Sequence, residues 1–287
     1  MAFLPEPESL IRVFAFLFGA VIGSFLNVCI YRLPLHLSIV RPRSACPACG
    51  ALIPAYHNVP LLSYIVLRGR CAKCRTAISP RYFIVELLSA VLSLALMVRY
   101  GPTFAYGAYF VFAAALLVIT YIDLDHQIIP DRISLPGIAV GLALAALGPV
   151  LPARLAGNYE VTLAESALGL VAGAGGLFAI AYGYLLLTGR EGMGLGDVKL
   201  LGMIGTFIGW QGVLLTLFLG SLFGTLIATP LVIARGEGRH AVLPFGPFLA
   251  LGALTALLFG DVIIAAYFHL SDIMVESAMR ATGGPPR

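Results

Sequence analysis

Charged residues are scarce in this sequence. Asp, Glu, Lys and Arg together make up 11% of its 287 residues, whereas hydrophobic residues make up 60%. Soluble domains average about 25% charged and about 45–50% apolar residues, so this composition excludes an ordinary soluble globular protein. It excludes intrinsic disorder more firmly, because disordered chains are poor in apolar residues. The class that remains is a membrane protein that crosses the bilayer several times.

The sequence also lacks a basic tract interleaved with aromatic residues. Its net charge of +4 is small, so nucleic acid is excluded as a partner. No basic segment precedes the first hydrophobic run, where Glu6 and Glu8 stand instead, and the run is longer than the core of a signal peptide. We therefore expect this run to be retained as a first transmembrane helix over residues 10–32.

The sequence contains several long hydrophobic runs without charged residues. Each is close to the roughly 20 residues that cross a bilayer as a helix. A further span over 83–98 contains Glu86, and the run 200–234 is long enough for two spans, divided at Trp210-Gln211-Gly212. We predict an all-α polytopic membrane protein with about eight transmembrane helices. The other uncharged runs cover residues 13–31, 100–122, 133–153, 166–189 and 241–260.

Basic residues are divided unevenly between the two sets of connecting segments. One set carries 13 of the 18 Lys and Arg residues, and the other carries five. Cytoplasmic loops are enriched in Lys and Arg, so the richer set is predicted to be cytoplasmic and both termini external. The richer set comprises the eight basic residues from Arg32 to Arg81, then Arg132, Arg190, Lys199, Arg235 and Arg239.

The long polar segment 33–82 contains two Cys-x-x-Cys pairs, Cys46 with Cys49 and Cys71 with Cys74. Four thiolates placed in this way can occupy the corners of the tetrahedron that Zn²⁺ accepts. A loop of this size has too small a core to fold unaided, so a structural zinc ion would supply much of its stability. We predict a small cytoplasmic zinc-ribbon-like domain. The alternatives are two disulfides, which a reducing cytosol disfavours, or four unrelated thiols.

Acidic residues beside membrane spans are costly and therefore usually functional. Asp123, Asp125 and Asp131 lie at the end of the third predicted span, and Asp197 follows Gly194-Leu-Gly at the start of the sixth. Two close carboxylates can share a proton, so that one takes a proton from water while the other polarises a carbonyl, as in aspartic proteases. The alternatives are a set of helix-end charges, or the proton path of a transporter.

Seven ordered segments of the chain resemble the bacterial type IV prepilin peptidases, also called prepilin leader peptidase/N-methyltransferases. The resemblance runs almost from end to end, and the combined matches are far more specific than any single motif. The segments are GSFLNVCIYRLP from Gly23, CPACG from Cys46, NVPLLSYIVLRGRCAKC from Asn58, ISPRYFIVELL from Ile78, IDLDHQIIPD from Ile122, GMGLGDVKLLGMIG from Gly192 and LPFGPFLALGA from Leu243.

The resemblance implies a GxGD intramembrane aspartic protease of the bacterial inner membrane, with Asp123 and Asp197 as its catalytic pair. Asp123 matches the family's first aspartate because it stands seven residues before Pro130. Such enzymes cut the short basic leader from type IV prepilins and pseudopilins on the cytoplasmic side, after a glycine, for pilus assembly or type II secretion. Many then methylate the new N-terminal residue with S-adenosylmethionine. The implied domains are a methylation-associated zinc loop over 33–82, a peptidase domain over 83–270 and a tail over 271–287.

One position departs from the family pattern. Ala90 stands where versions of the family carry a glycine linked to methyl transfer, and no Gly-rich loop of the Rossmann kind marks a site for S-adenosylmethionine. Three hypotheses therefore remain: a peptidase with methyltransferase activity, a peptidase without it, and a zinc-stabilised membrane transporter or scaffold. Glu86 would either serve methylation or pair with a nearby Arg.

Overall fold

The computed structural model describes residues 7–157, 159, 161–189, 193–230 and 244–281. The predicted all-α architecture is confirmed there, since the only strand-like pairings in these residues are two isolated bridges. Several residues used above lie outside the described part of the chain. They are Glu6 before the first run, Arg190, Arg235 and Arg239 of the basic set, Gly192 and Leu243 of the matched segments, residues 231–234 and 241–243 of the predicted spans, and residues 282–287 of the predicted tail.

Ten α-helices follow one another along the described chain. A π-helical turn, Val171–Gly175, joins α7 to α8, and a second one, Gly224–Ala228, extends α9. Short 3-10 turns occupy Ala55–His57 and Gly148–Val150. The helices are α1 (Pro7–Arg32), α2 (Leu62–Val66), α3 (Pro80–Tyr100), α4 (Phe104–His126), α5 (Asp131–Leu147), α6 (Ala153–Ala156), α7 (Leu163–Leu170), α8 (Gly176–Thr188), α9 (Leu195–Phe223) and α10 (Gly246–Ala281).

Helix starts follow local sequence signals. Ser79 caps α3 by accepting a hydrogen bond from the Arg81 N–H, and Pro80 occupies the first helical position, where its missing N–H costs nothing. Thr162 and Glu165 form a reciprocal capping box at the start of α7. Both helices therefore begin three residues before the predicted spans 83–98 and 166–189.

Seven helices in the described residues are long and apolar enough to cross a membrane. The predicted number was about eight, because the run 200–234 was divided into two spans. In the structure this region is one 34-residue helical stretch, Leu195–Ala228. Its backbone is interrupted at Gly209, where φ is 70° and ψ is 178°. The interruption lies one residue before the predicted division.

Contacts of this stretch show that the chain reverses at the interruption. A straight helix would separate Gly196 from Gly224 by about 42 Å at 1.5 Å per residue. However, a Cβ on Gly196 would lie 3.1 Å from Ile129, and a Cβ on Gly246 would lie 3.4 Å from the same side chain. Gly224 in turn packs against Phe248, two residues beyond Gly246. The two halves of α9 are therefore antiparallel, and both of their far ends lie near the start of α10.

Helices α1 and α3 approach each other through small residues. A Cβ on Gly19 would lie 2.5 Å from Ser93 Cβ and 2.8 Å from Ala90 Cα. The Ser89 and Ser93 hydroxyls donate to the carbonyl oxygens of Gly19 and Ala15, both at 2.7 Å. Close contact of this kind, with side-chain hydroxyls bonding across the interface, is typical of helix association in membranes.

Replacing Gly19 with Ala is expected to lower the free energy of unfolding by about 1–3 kcal/mol, because the added methyl group has no space between α1 and α3. The measurement is the midpoint of thermal unfolding in detergent. The matched control is Gly183→Ala in α8, where the new Cβ would meet no atom within 4 Å and stability should stay within about 0.5 kcal/mol. Equal midpoints for the two variants would contradict the tight packing.

Candidate active site and metal centre

Asp123 lies in the last turn of α4, which ends at His126 because Gln127 adopts a left-handed conformation with φ of 53°. The Asp123 side chain is 5% exposed. Its Oδ2 accepts a hydrogen bond of 3.1 Å from the N–H of Gly246, the first residue of α10. The end of one helix and the start of another therefore meet at this carboxylate.

Asp197 lies in the first turn of α9, two residues after the helix begins. Gly196 beside it packs against Ile129, the same side chain that approaches Gly246. Asp197 and Asp123 are close enough to interact electrostatically. The structure therefore brings together the two aspartates that the sequence analysis paired, at the junction of α4, α9 and α10.

Two further aspartates near this junction are held in ion pairs. Asp125 pairs with Arg81 of α3, whose guanidinium also donates to the Tyr121 carbonyl at 3.2 Å and lies 4.8 Å from the centre of the Tyr121 ring. Asp131, in the first turn of α5, accepts two hydrogen bonds from Lys199 Nζ at 2.7 and 2.9 Å. The carboxylates of Asp125 and Asp131 are each bound by a charged side chain of another helix, whereas that of Asp123 is bound by a backbone amide.

The four predicted metal ligands form one cluster. Their sulfur atoms all lie within 4.8 Å of one another, and Cys46 Sγ and Cys74 Sγ are 3.8 Å apart. A tetrahedral site with metal–sulfur bonds of about 2.3 Å has sulfur–sulfur edges of about 3.8 Å. All four cysteines are free, so the alternative of two disulfides is not realised. The cluster can hold one metal ion with four thiolates.

Both cysteine pairs are presented by the same backbone turn. In each turn the N–H of the first cysteine donates to the carbonyl oxygen of the residue five positions later. The carbonyl oxygen of the same cysteine accepts from the N–H of the residue four positions later. The residue at that fourth position has a positive φ, which is 69° at Gly50 and 62° at Arg75. The bonds are Cys46 N–H to Ala51 O at 2.9 Å, Gly50 N–H to Cys46 O at 2.8 Å, Cys71 N–H to Thr76 O at 2.9 Å and Arg75 N–H to Cys71 O at 3.0 Å.

Electrostatic effects within the cluster favour a bound cation. Hydrogen bonding with Thr76, first with its hydroxyl and then with its backbone, lowers the pKa of the Cys74 thiol to about 6. The backbone of Ala51 lowers the pKa of Cys49, but the Cys74 thiol, then desolvation and then the other two thiols outweigh it and raise that pKa to about 11. Four thiols this close cannot all ionise by themselves, so a metal ion is the group that would hold all four as thiolates.

Glu86 connects the cysteine-containing loop to the membrane helices. Its carboxylate accepts a hydrogen bond of 2.7 Å from the Leu61 N–H and bonds to the Ser24 hydroxyl of α1. Leu61 is the centre of a classic γ-turn, with φ of 61° and ψ of −51° and a hydrogen bond of 2.6 Å from Leu62 N–H to Pro60 O. Among the described residues, Glu86 makes no ion pair with an Arg, which was one of its two predicted roles.

Two residues that contact this junction were given no role in the sequence analysis. Gly246 binds Asp123 through its backbone, and Ile129 contacts both Gly196 and Gly246. The signal for Gly246 is its position between Pro244 and Pro247, in a segment matched as a motif but given no role. A backbone amide leaves no side-chain pattern that would have pointed to it.

Comparisons with known proteins agree on one family. Residues 17–100 match the family model described as bacterial peptidase A24 N-terminal domain, and residues 110–229 match that of the type IV leader peptidase family. A prepilin leader peptidase/N-methyltransferase of Aeromonas salmonicida (strain A449) is 38% identical over 284 residues, which cover 90% of this chain and 94% of the relative. Its counterpart in Pseudomonas putida is 37% identical over 287 residues, covering 92% and 96%. No solved structure matches the chain.

The purified protein is expected to contain about one metal ion per chain, measured by elemental mass spectrometry, because two cysteine pairs form one tetrahedral site. Cys49→Ser should lose most of this metal, since it removes one of four thiolates. The control is Cys29→Ala, which removes a free cysteine of α1 that lies outside the cluster. Retention of one ion per chain by Cys49→Ser would contradict the site.

Proposed function

Because the chain belongs to the type IV leader peptidase family, we propose that it removes the leader of type IV prepilins or pseudopilins by cutting the peptide bond that follows a glycine. The observation that carries this proposal is the meeting of three helix ends at the two aspartates. There Ile129 contacts both Gly196, which precedes Asp197, and Gly246, whose N–H binds Asp123. Relatives named prepilin leader peptidase/N-methyltransferase match nearly the whole chain, which supports the same substrate class.

In this proposal the two aspartates hydrolyse the scissile bond together. They hold a water molecule between them, and one carboxylate takes its proton as the oxygen attacks the carbonyl carbon. The other, protonated, carboxyl donates to the carbonyl oxygen and so stabilises the developing negative charge. The proton taken from water then passes to the leaving amine. A glycine before the cut leaves the backbone unhindered, so that a narrow site can accept it.

Contacts of the neighbouring aspartates support this choice of catalytic pair. Asp125 is bound by Arg81 and Asp131 by Lys199, so each would have to leave an ion pair before it could hold a water molecule. Asp123 is buried and bound only on one oxygen among the described contacts. We therefore assign the first catalytic role to Asp123 rather than to Asp125.

The proposed location is the bacterial inner membrane, with the aspartate pair toward the cytoplasm. Arg81 stands at the end of the cysteine-containing loop and pairs with Asp125 at the end of α4, so the loop and the aspartates lie on the same side of the helices. Counted with Arg32 at its edge, that loop carries eight of the 18 Lys and Arg residues, more than any other connecting segment, and cytoplasmic loops are enriched in Lys and Arg.

We further propose that residues 33–82 form a zinc-stabilised domain and that the protein methylates the new N-terminus. Cys46, Cys49, Cys71 and Cys74 would hold the zinc ion, which would stabilise the fold of a loop that has little core of its own. S-adenosylmethionine would donate the methyl group to the terminal amine. Ala90 is fully buried against α1 beside Gly19, where the packing requires a small residue. Methylation therefore remains compatible with Ala90, and the peptidase without it is the alternative that experiment decides.

Membership of a peptidase family favours this function over the transporter or scaffold. The same carboxylates could carry protons in a transporter. However, both family models that match the chain are those of peptidases, and together they cover residues 17–100 and 110–229. The proposed domain boundaries are accordingly a peptidase domain over 83–270 and a tail over 271–287, after the first helix and the zinc domain.

Asp123→Asn and Asp197→Asn are each expected to lower the rate of leader cleavage by at least about a hundredfold, since an amide cannot exchange the catalytic proton. The assay follows cleavage of a purified prepilin in detergent. The matched control is Asp125→Asn, which removes a carboxylate that faces Arg81 and should retain cleavage. Undiminished cleavage by Asp123→Asn together with its loss in Asp125→Asn would exchange the roles of these two residues.

The cleaved product of the wild-type protein is expected to begin directly after a glycine and to be heavier by one methyl group when S-adenosylmethionine is present. Mass spectrometry of the product N-terminus measures both features. The matched variant is Ala90→Gly, which restores the family's residue. Methylation by this variant but not by the wild type would identify Ala90 as the cause of a lost activity, and cleavage without methylation in both would leave a peptidase only.

A further inference from the structure

In the first turn of α10, one backbone N–H group is directed at another part of the protein. Of its residues, Pro247 has no N–H, and the N–H groups of Phe248 and Leu249 both donate to the Phe245 carbonyl at 3.1 Å. The remaining N–H, that of Gly246, points at Asp123 Oδ2. The first four N–H groups of a helix lack a partner within the helix. Here one is missing because of the proline and two are bound by the Phe245 carbonyl, so the Gly246 amide is the one that binds a group outside the helix.

Only a glycine fits at that position. A Cβ on residue 246 would lie 2.5 Å from Asp123 Oδ2 and 3.2 Å from its Cγ, and it would also meet Ile129 at 3.4 Å. Carbon and oxygen atoms that are not bonded do not approach so closely, so any side chain would displace the carboxylate. The glycine brings the backbone within hydrogen-bonding distance of the aspartate.

We infer that Gly246 is a positioning residue for Asp123, and that it assigns separate tasks to the two carboxylate oxygens. This inference rests on the proposed function, in which Asp123 is catalytic. Oδ2 is an acceptor fixed by the amide and therefore carries no proton on that side. Oδ1, which has no hydrogen bond among the described residues, is the oxygen that exchanges a proton with water or with Asp197.

The electrostatic setting supports the same division of tasks. The N-terminus of a helix carries a partial positive charge, and α10 directs its start at Asp123. An oriented donor that is already in place does not have to reorganise during the reaction. Because Ile129 packs against both Gly246 and Gly196, a displacement at the start of α10 would also be transmitted to the segment that carries Asp197.

The first test is Gly246→Ala in the full-length protein, with kcat and KM for prepilin cleavage determined separately. We expect kcat to fall on the order of tenfold or more while KM stays within about twofold, since the substrate still binds but the carboxylate is misplaced. The matched control is Gly176→Ala in α8, where a new Cβ would meet no atom within 4 Å. A rise in KM with unchanged kcat, or a loss of kcat equal to the loss of folded protein, would overturn the inference.

The second test does not depend on activity or on the folding of the glycine variant. Labelling with ¹³C-Phe and ¹⁵N-Gly selects, in NMR spectra, the amides of the four glycines that follow a phenylalanine, which are Gly19, Gly224, Gly246 and Gly260. The Gly246 signal among them is the one that Phe245→Leu removes, and its amide proton shift is measured. It is expected to move upfield in Asp123→Ala, which removes the acceptor, and to stay in place in Asp125→Ala, which removes the neighbouring carboxylate bound to Arg81. An unchanged shift in Asp123→Ala would overturn the contact. If the wild type cut no prepilin while this shift moved as expected, the proposed function would fail and the contact would stand.

Discussion

A carboxylate inside a membrane-embedded protein is costly unless a donor satisfies it. In the described part of this chain, four carboxylates at or near the candidate site accept hydrogen bonds from donors in other segments. Each satisfied carboxylate is therefore also a link in the tertiary structure. Asp123 joins α4 to α10, Asp125 joins α4 to α3, Asp131 joins α5 to α9, and Glu86 joins α3 to the cysteine-containing loop.

The precision of the aspartate pair depends on how closely the helices pack. Gly169 of α7 and Gly205 of α9 leave room only for backbone between them, and Gly252 of α10 meets the backbone of Gly220 in the same way. Where two helices touch through backbone atoms alone, the distance between them is set by the backbone, whose dimensions vary little. The reversal at Gly209 then returns the second half of α9 to the start of α10, so that three helix ends can meet around Asp123.

The cysteine-containing loop obeys a different constraint, because it has little apolar core of its own. Its two turns present the four sulfurs symmetrically, and a bound metal would replace the missing core as the source of stability. The loop is attached to the helices at a strained γ-turn, where Leu61 donates to Glu86. Strain at such a position persists only where the surroundings enforce it, and here a membrane carboxylate does so.

The sequence by itself determined the fold class, most of the membrane spans and the four-sulfur cluster. A membrane span depends on the length of one hydrophobic run, and a four-thiolate site depends on the spacing of the Cys-x-x-Cys pairs. Both can be read from short segments of sequence. It also placed the break in α9 to within one residue, from the polar segment that follows Gly209. What it could not decide was that the two halves of this region, Leu195–Ala228, are joined at the single residue Gly209, where the chain reverses with no loop between them.

Only the tertiary structure decided how the acidic residues are used. By sequence, Asp123 and Asp125 are two similar carboxylates at the end of one helix, and resemblance to a family was needed to choose between them. Two residues along a helix point in very different directions, so one meets Arg81 and the other meets α10. The partner of Asp123 is a backbone amide of Gly246, more than a hundred residues away. Every residue but proline carries such an amide, so only the packing of α10 against α4 selects this one.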